Sequence, residues 1–159
     1  MAQNPTMRGQ DMINTKYATV LMEIDGKRYV AFNLLKFEAK VKSDTKSLPV
    51  LDRFMSVHMP TGGEGTFEGE AYGAQPYFLQ MLKDQRDKLK TTYFTIQVDE
   101  HDPAYEGGRQ TIIYLNCLIN EYTLSKLAAE GGERKEACSG TFDDFMDANR
   151  YRTLQASNR

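Results

Sequence analysis

Lys36-Phe37-Glu38-Ala39-Lys40-Val41-Lys42 alternates without a break, with Phe37, Ala39 and Val41 on one side and Lys36, Glu38, Lys40 and Lys42 on the other. A period of two sends successive side chains to opposite faces of an extended chain, so this stretch reads as a half-buried strand. Gly63-Glu64-Gly65-Thr66-Phe67-Glu68-Gly69-Glu70-Ala71-Tyr72 repeats the pattern. Glu64, Thr66, Glu68, Glu70 and Tyr72 share one face, and Gly65, Phe67, Gly69 and Ala71 share the other. Each stretch has one face that fits a core and one that must meet water, and that contrast fixes the strand register.

Upstream, Ala18 to Asp25 reads as a strand, and Asp25-Gly26 is a strong hairpin signal. The return strand, Lys27 to Phe32, is expected to run through Asn33 into Leu34 to Val41. Residues 43–63 carry two prolines, a glycine pair and the apolar side chains Leu48, Val50, Leu51, Phe54, Met55 and Met59. They are expected to form a long inter-strand loop, a feature that in a compact domain is often functional. Pro76 then opens a glycine-free segment to Leu89, and Phe78, Met81, Leu82 and Leu89 make a stripe along it. This predicts one helix over about 76–89.

Thr92 to Asp99, Gln110 to Leu118 and Arg134 to Phe142 are the remaining strands. The middle one is apolar on both faces, is expected to be buried from both sides, and extends toward Leu124. The last is expected to close the sheet. The order predicts a mainly β fold, an antiparallel barrel or sandwich with one flanking helix. Residues 1–17 read as an N-terminal arm, 18–146 as the β-domain and 147–159 as a polar tail.

At 159 residues and 18.1 kDa, the chain has the size of one domain. Lys+Arg 20 against Asp+Glu 22 leaves a formal charge of −2 and a pI near 5.7. That balance lacks the basic footprint of a protein that grips nucleic acid through phosphates. No apolar run approaches the length of a membrane span, and the polar start lacks a signal-peptide core, so a soluble chain without a membrane anchor is expected. Cys117 and Cys138 make no disulfide framework and no zinc spacing.

The catalytic candidates are weak. The only histidines are His58 and His101. Asp99-Glu100-His101-Asp102 has metal-ligand chemistry, but Asp102-Pro103 fits the start of a turn better. Cys117 reads as a small core residue, and Cys138 lacks a histidine to activate it. Gly63 to Gly69 lacks the Lys-Ser/Thr of a phosphate loop, and its glycines fit close packing or a bulge. Glu64, Glu68 and Glu70 read as a solvated strand face. No catalytic, cofactor or metal site is expected.

Several strings in order resemble the tail tube proteins of phages and phage-derived particles, in particular those of PBSX-type defective prophages with contractile tails. They are Phe37-Glu38-Ala39-Lys40-Val41 with its lysine-rich sequel, Gly63-Glu64-Gly65-Thr66 before a strand ending in Tyr72, and the helix leading into Tyr93-Phe94-Thr95-Ile96-Gln97. The acidic loop Asp99 to Asp102 closing on Gly107-Gly108-Arg109, and Phe142-Asp143-Asp144-Phe145, complete the set. The resemblance spans roughly residues 15 to 146. It implies a non-enzymatic subunit, made in the bacterial cytoplasm, that forms hexameric rings stacked into a hollow tube. Sheath, baseplate and tape-measure proteins are its implied neighbours, and DNA is a cargo in transit.

Within such a tube, Leu48, Leu51, Phe54, Met55 and Met59 are expected to reach a neighbouring subunit. Lys36, Lys40 and Lys42 with Glu64, Glu68 and Glu70 are expected to face the lumen. Read from the residues alone, a monomeric antiparallel barrel that binds a small apolar ligand remains the alternative.

Overall fold

The computed structural model describes residues 12–30, 34–72 and 76–152. Its elements in chain order are β1 (Ala18–Ile24), β2 (Lys27–Val30), β3 (Leu34–Leu48), β4 (Val57–Tyr72), α1 (Pro76–Lys88), β5 (Phe94–Glu100), β6 (Gln110–Tyr122), β7 (Lys135–Phe142) and β8 (Asp144–Asn149). The expected continuation of β2 through Phe32 and Asn33 lies outside the described residues.

Two compact units are present. One comprises Met1–Ala31, Phe94–Leu115 and Phe145–Arg159, the other Phe32–Tyr93 and Asn116–Asp144. In the first, β1 lies between β2 and β5, antiparallel to both, β5 continues to β6, and β8 also pairs with β6. Val20, Met22 and Ile24 are buried on β1, and Phe94, Ile96 and Val98 on β5. The register sets Val20 opposite Val98 and Met22 opposite Ile96, so both strands bury the same face. Each such side chain contributes roughly 1.5–3 kcal/mol on burial. Asp25 and Gly26 both take positive φ, 50° and 78°, as the two-residue hairpin requires.

The second unit orders its strands β6-β7-β4-β3. Phe67, Cys117, Ile119 and Phe142 are buried there, with Phe78 from α1, whose ring centroid lies 5.7 Å from that of Tyr122. The helix stands where Phe78, Met81 and Leu82 placed it, but it ends at Lys88, and Leu89 of the expected stripe is exposed beyond its end.

Four sequence expectations need correction. The region 43–63 is hairpin, not loop: β3 and β4 pair from Leu34↔Ala71 to Leu48↔Val57, and only residues 49–56 form the connection. A register shift at Asp44/Thr45 leaves Thr61 without a partner strand residue, and its hydroxyl donates to the Asp44 carbonyl at 3.2 Å. Pro60, which has no N–H to give, sits beside this irregularity. Second, β7 does not close the sheet but lies between β6 and β4. Third, β6 reaches Tyr122 but is half-buried at most positions, and Asn116 interrupts it with a φ of 52°. Fourth, the polar tail begins with a strand, β8, which crosses the expected 146/147 boundary.

Candidate functional site

The charged face of the second unit is built by register. Lys36 faces Glu70 and Lys42 faces Glu64 across β3 and β4, with Glu38 opposite Glu68 and Lys40 opposite Thr66 between them. All six side chains named from the sequence therefore share one face. Glu38 stands at its centre: Lys40 Nζ lies 3.1 Å from Oε1 and Lys36 Nζ 3.9 Å from Oε2, while Lys36 Nζ also donates to Glu68 Oε1 at 3.4 Å. The hydrogen bond and charge of Lys40 hold the Glu38 carboxyl below its ordinary value, and Glu38 in turn raises Lys40. All these groups are solvated, so each pair is worth little alone and the set matters as a field.

Strand order extends the face. Glu68 lies opposite Ser139 on β7, and Ser139 lies opposite Glu121 on β6. Lys135 opposite Tyr72 adds its ammonium 5.9 Å from the tyrosine ring centroid. Four lysines (36, 40, 42, 135) thus stand among five glutamates (38, 64, 68, 70, 121), one negative charge in excess. Glu38 was visible in the alternating heptapeptide. Glu121 was not, because only the pairing order brings it here.

The second feature is the β3–β4 ribbon. β7 accompanies β4 only from Tyr72 to Gly65. Beyond that point β3 and β4 pair with each other alone, and residues 40–47 and 57–64 are exposed throughout. At ~3.4 Å per residue, the eight steps from Gly65 to Val57 carry the ribbon about 27 Å. Leu51, Phe54 and Met55 stand on the connection, 96%, 104% and 70% exposed. Half-buried Leu48 faces Val57 in the last pair, and exposed Met59 faces Lys46. A two-stranded hairpin is marginal in water on its own, and an apolar tip on one is an unmet contact.

Asp99 and Glu100, expected in an acidic loop, end β5 instead, and the groups from Asp99 to Asp102 are occupied by the local structure. Asp99 accepts from Arg109 at 3.2 Å and from the Thr111 hydroxyl at 3.0 Å. Buried Asp102 accepts from the backbone N–H groups of Asn14 and Ala104, at 2.8 and 3.0 Å, and its carbonyl accepts from Tyr105 N–H to form the turn. Among the described residues, no group of three or more His, Cys, Asp or Glu is placed to hold a metal. Cys117 is fully buried, and burial pushes the Cys138 thiol up to about 11, away from thiolate chemistry.

The antiparallel β fold with one helix is shared with chains in solved structures of phage-tail-like particles. The chain superposes on the tube-terminating cap of the anti-feeding prophage with a TM-score of 0.68 and 11% identity, over 91% of this chain and 96% of that one. It superposes on a chain of the sheath–tube complex of an extracellular contractile injection system, in its extended state, with a TM-score of 0.58 and 10% identity, covering 80% and 86%.

Residues 5–147 match the family described as phage tail tube protein, and the chain belongs to that family. It is similar to the phage-like element PBSX protein XkdM of Bacillus subtilis (strain 168), 23% identical over 139 residues, covering 87% of this chain and 92% of the relative. The family role is structural.

Proposed function

We propose that this chain is the tube subunit of a contractile phage or phage-like tail, forming hexameric rings that stack into a hollow conduit and carrying out no catalysis. The observation that carries this reading is the ribbon: about 27 Å of two-stranded hairpin at ~3.4 Å per residue, wet on both faces and tipped with Leu51, Phe54 and Met55, needs a neighbour to cover it. A contact between unlike patches closes into a ring or repeats into a filament, and a stacked tube uses both.

The charged face around Glu38 lines the channel. Mixed signs with a slight acidic excess give DNA no phosphate-binding wall, so cargo slides. The subunit is made in the bacterial cytoplasm and ends in the tail, surrounded by sheath, seated on a baseplate and filled by a tape-measure protein during assembly.

Negative-stain microscopy of the purified chain tests the reading. Rings or tubes are expected from the native protein. A folded particle at monomer mass under all conditions overturns it in favour of a binding module. The double variant Phe54→Ser/Met55→Ser is expected to fold, with an unchanged circular dichroism spectrum, and to form no tubes.

A further inference from the structure

The turn from Asp102 to Gly107 holds chain from both ends of the sequence, all of it within the first unit. The N-terminal anchor is Asp102, 5% exposed, which accepts from Asn14 N–H at 2.8 Å, while His101 N–H donates to the Tyr17 carbonyl at 3.0 Å. The C-terminal anchor is Arg152. Its N–H donates to the Gly107 carbonyl at 2.7 Å and its guanidinium to the Glu106 carbonyl at 2.8 Å. Beside it the Tyr151 hydroxyl donates to Glu100 at 3.2 Å.

The two anchors share one small piece of structure. Asp102 also builds the turn: its carboxylate accepts from Ala104 N–H at 3.0 Å, and its carbonyl from Tyr105 N–H at 3.0 Å. The turn sets Tyr105, whose ring fills the space in which a side chain at Gly107 would stand. The same ring meets that of Tyr151 edge-on, with centroids 5.2 Å apart and planes at 85°. A chain of contacts therefore runs from Asn14 N–H through Asp102 and Tyr105 to Tyr151 and Arg152. Its sensitive link is the carboxylate. When Asn14 leaves, a buried charge keeps Ala104 N–H alone of its two donors, and a buried charge short of partners is costly. Turning that side chain toward water opens the turn, takes Tyr105 off Tyr151 and displaces the carbonyls that hold Arg152.

We propose that the 102–107 turn is a two-ended clamp, in which the buried Asp102 carboxylate couples the hold on segment 14–17 to the hold on segment 149–152, so that both are locked onto the unit or released together. A chain built this way offers a neighbour two forms, both ends held or both free, and no mixed ones. Coupling needs an element with two arrangements that both sites bias, and a turn closed by one buried carboxylate is such an element. The clamp is a property of the single chain and stands whether or not tubes form.

Hydrogen exchange of the full-length chain, diluted until unassembled and read amide by amide through fragmentation in the mass spectrometer, tests it. Asn14→Pro removes the N-terminal donor, and Arg152→Pro removes both C-terminal ones. Coupling is reciprocal, so Asn14→Pro is expected to speed exchange at Arg152, and Arg152→Pro at Asn14, each about tenfold. The amides of Val20 and Met22 in β1 are expected to stay as protected as in the native chain. Native exchange at the far segment, with β1 intact, overturns the clamp, because the two ends are then anchored independently. Where a proline variant loosens β1 as well, Asp102→Asn decides, since it keeps the side chain's size and removes its charge. It is expected to speed exchange at Asn14 and Arg152 together. A rise at Asn14 alone or at neither overturns the proposal, as does a rise that spreads to β1, which would make the turn a support of the strand.

Discussion

The ring of Phe142 occupies the space in which a side chain at Gly65 would stand. The two residues are partners across β4 and β7, and Phe142 is 4% exposed, so the glycine is what lets the ring lie flat on the sheet. Gly65→Ala is expected to lower stability by about 1–3 kcal/mol, the usual cost of overpacking. Gly140→Ala should cost more, because the added carbon meets the Leu118 backbone carbonyl as well as the Phe67 ring, and the carbonyl cannot rotate away. Urea unfolding checks both, and equal midpoints for native and Gly65→Ala chains would mean the ring has another resting place.

Legibility followed contrast. β1 and β5 were readable because Val20, Met22, Ile24, Phe94, Ile96 and Val98 alternate between a dry face and a wet one. The outer half of the ribbon was not, because residues 43–47 and 57–62 are wet on both faces, and a strand without a core side leaves no period in hydropathy. β8 hid for the same reason, being exposed throughout. The charged face was half legible: Lys36, Lys40, Lys42, Glu64, Glu68 and Glu70 follow from local alternation. The place of Glu121 depends on strand order, a long-range property that no short string encodes.

Leu89 closes α1 in the left-handed region, with φ at 52°, while Lys90 N–H reaches back to the Asp84 carbonyl at 3.3 Å. Glycine is the usual occupant of such a cap. Leu89 is 87% exposed, so its side chain returns little for the conformational cost. Left-handed backbone costs a leucine roughly 1–2 kcal/mol, and a glycine loses up to about 1 kcal/mol through its freer unfolded chain. Leu89→Gly is therefore expected to be neutral to stabilising by about 1 kcal/mol, and Leu89→Val destabilising. Thermal melts that rank Leu89→Gly below the native chain would contradict the cap assignment.

Alkaline pH should probe two tyrosines. Burial, with Glu136 behind it, drives the Tyr122 phenol far above its ordinary value of 10.0, and burial with Glu100 pushes Tyr151 up to about 12. Both are harder to ionise folded than unfolded. The stability they contribute is fully present below pH 10 and is lost as the pH rises from there through the folded values. Urea midpoints are expected to stay level on account of these groups between about pH 7 and 9 and to fall above 10. Tyr122→Phe loses the hydrogen bond to Glu136 at every pH, yet its midpoint should fall less steeply above pH 10. Parallel slopes for the two proteins would remove Tyr122 from the account.

The charged face makes the sharpest claim about the channel. Glu68 receives Lys36 at 3.4 Å, and Glu70 is the cross-strand partner of the same lysine. Changing both glutamates to lysine removes two negative charges and adds two positive ones per chain, a net shift of +4, without touching the buried face that holds the sheet. Opposed pairs of this kind are worth only ~0.2–1 kcal/mol each, so rings and tubes are expected to form. Their lumen, however, becomes a belt of phosphate-binding charge repeated in every ring. Variant tubes should retain short single-stranded DNA at low salt and release it as salt rises, with affinity falling steeply on a logarithmic scale, whereas native tubes retain none. In a particle that carries DNA the same change should slow release. A density map of the assembled tube that places Glu64, Glu68 and Glu70 on the outer wall would overturn the assignment, whatever the binding assay gives.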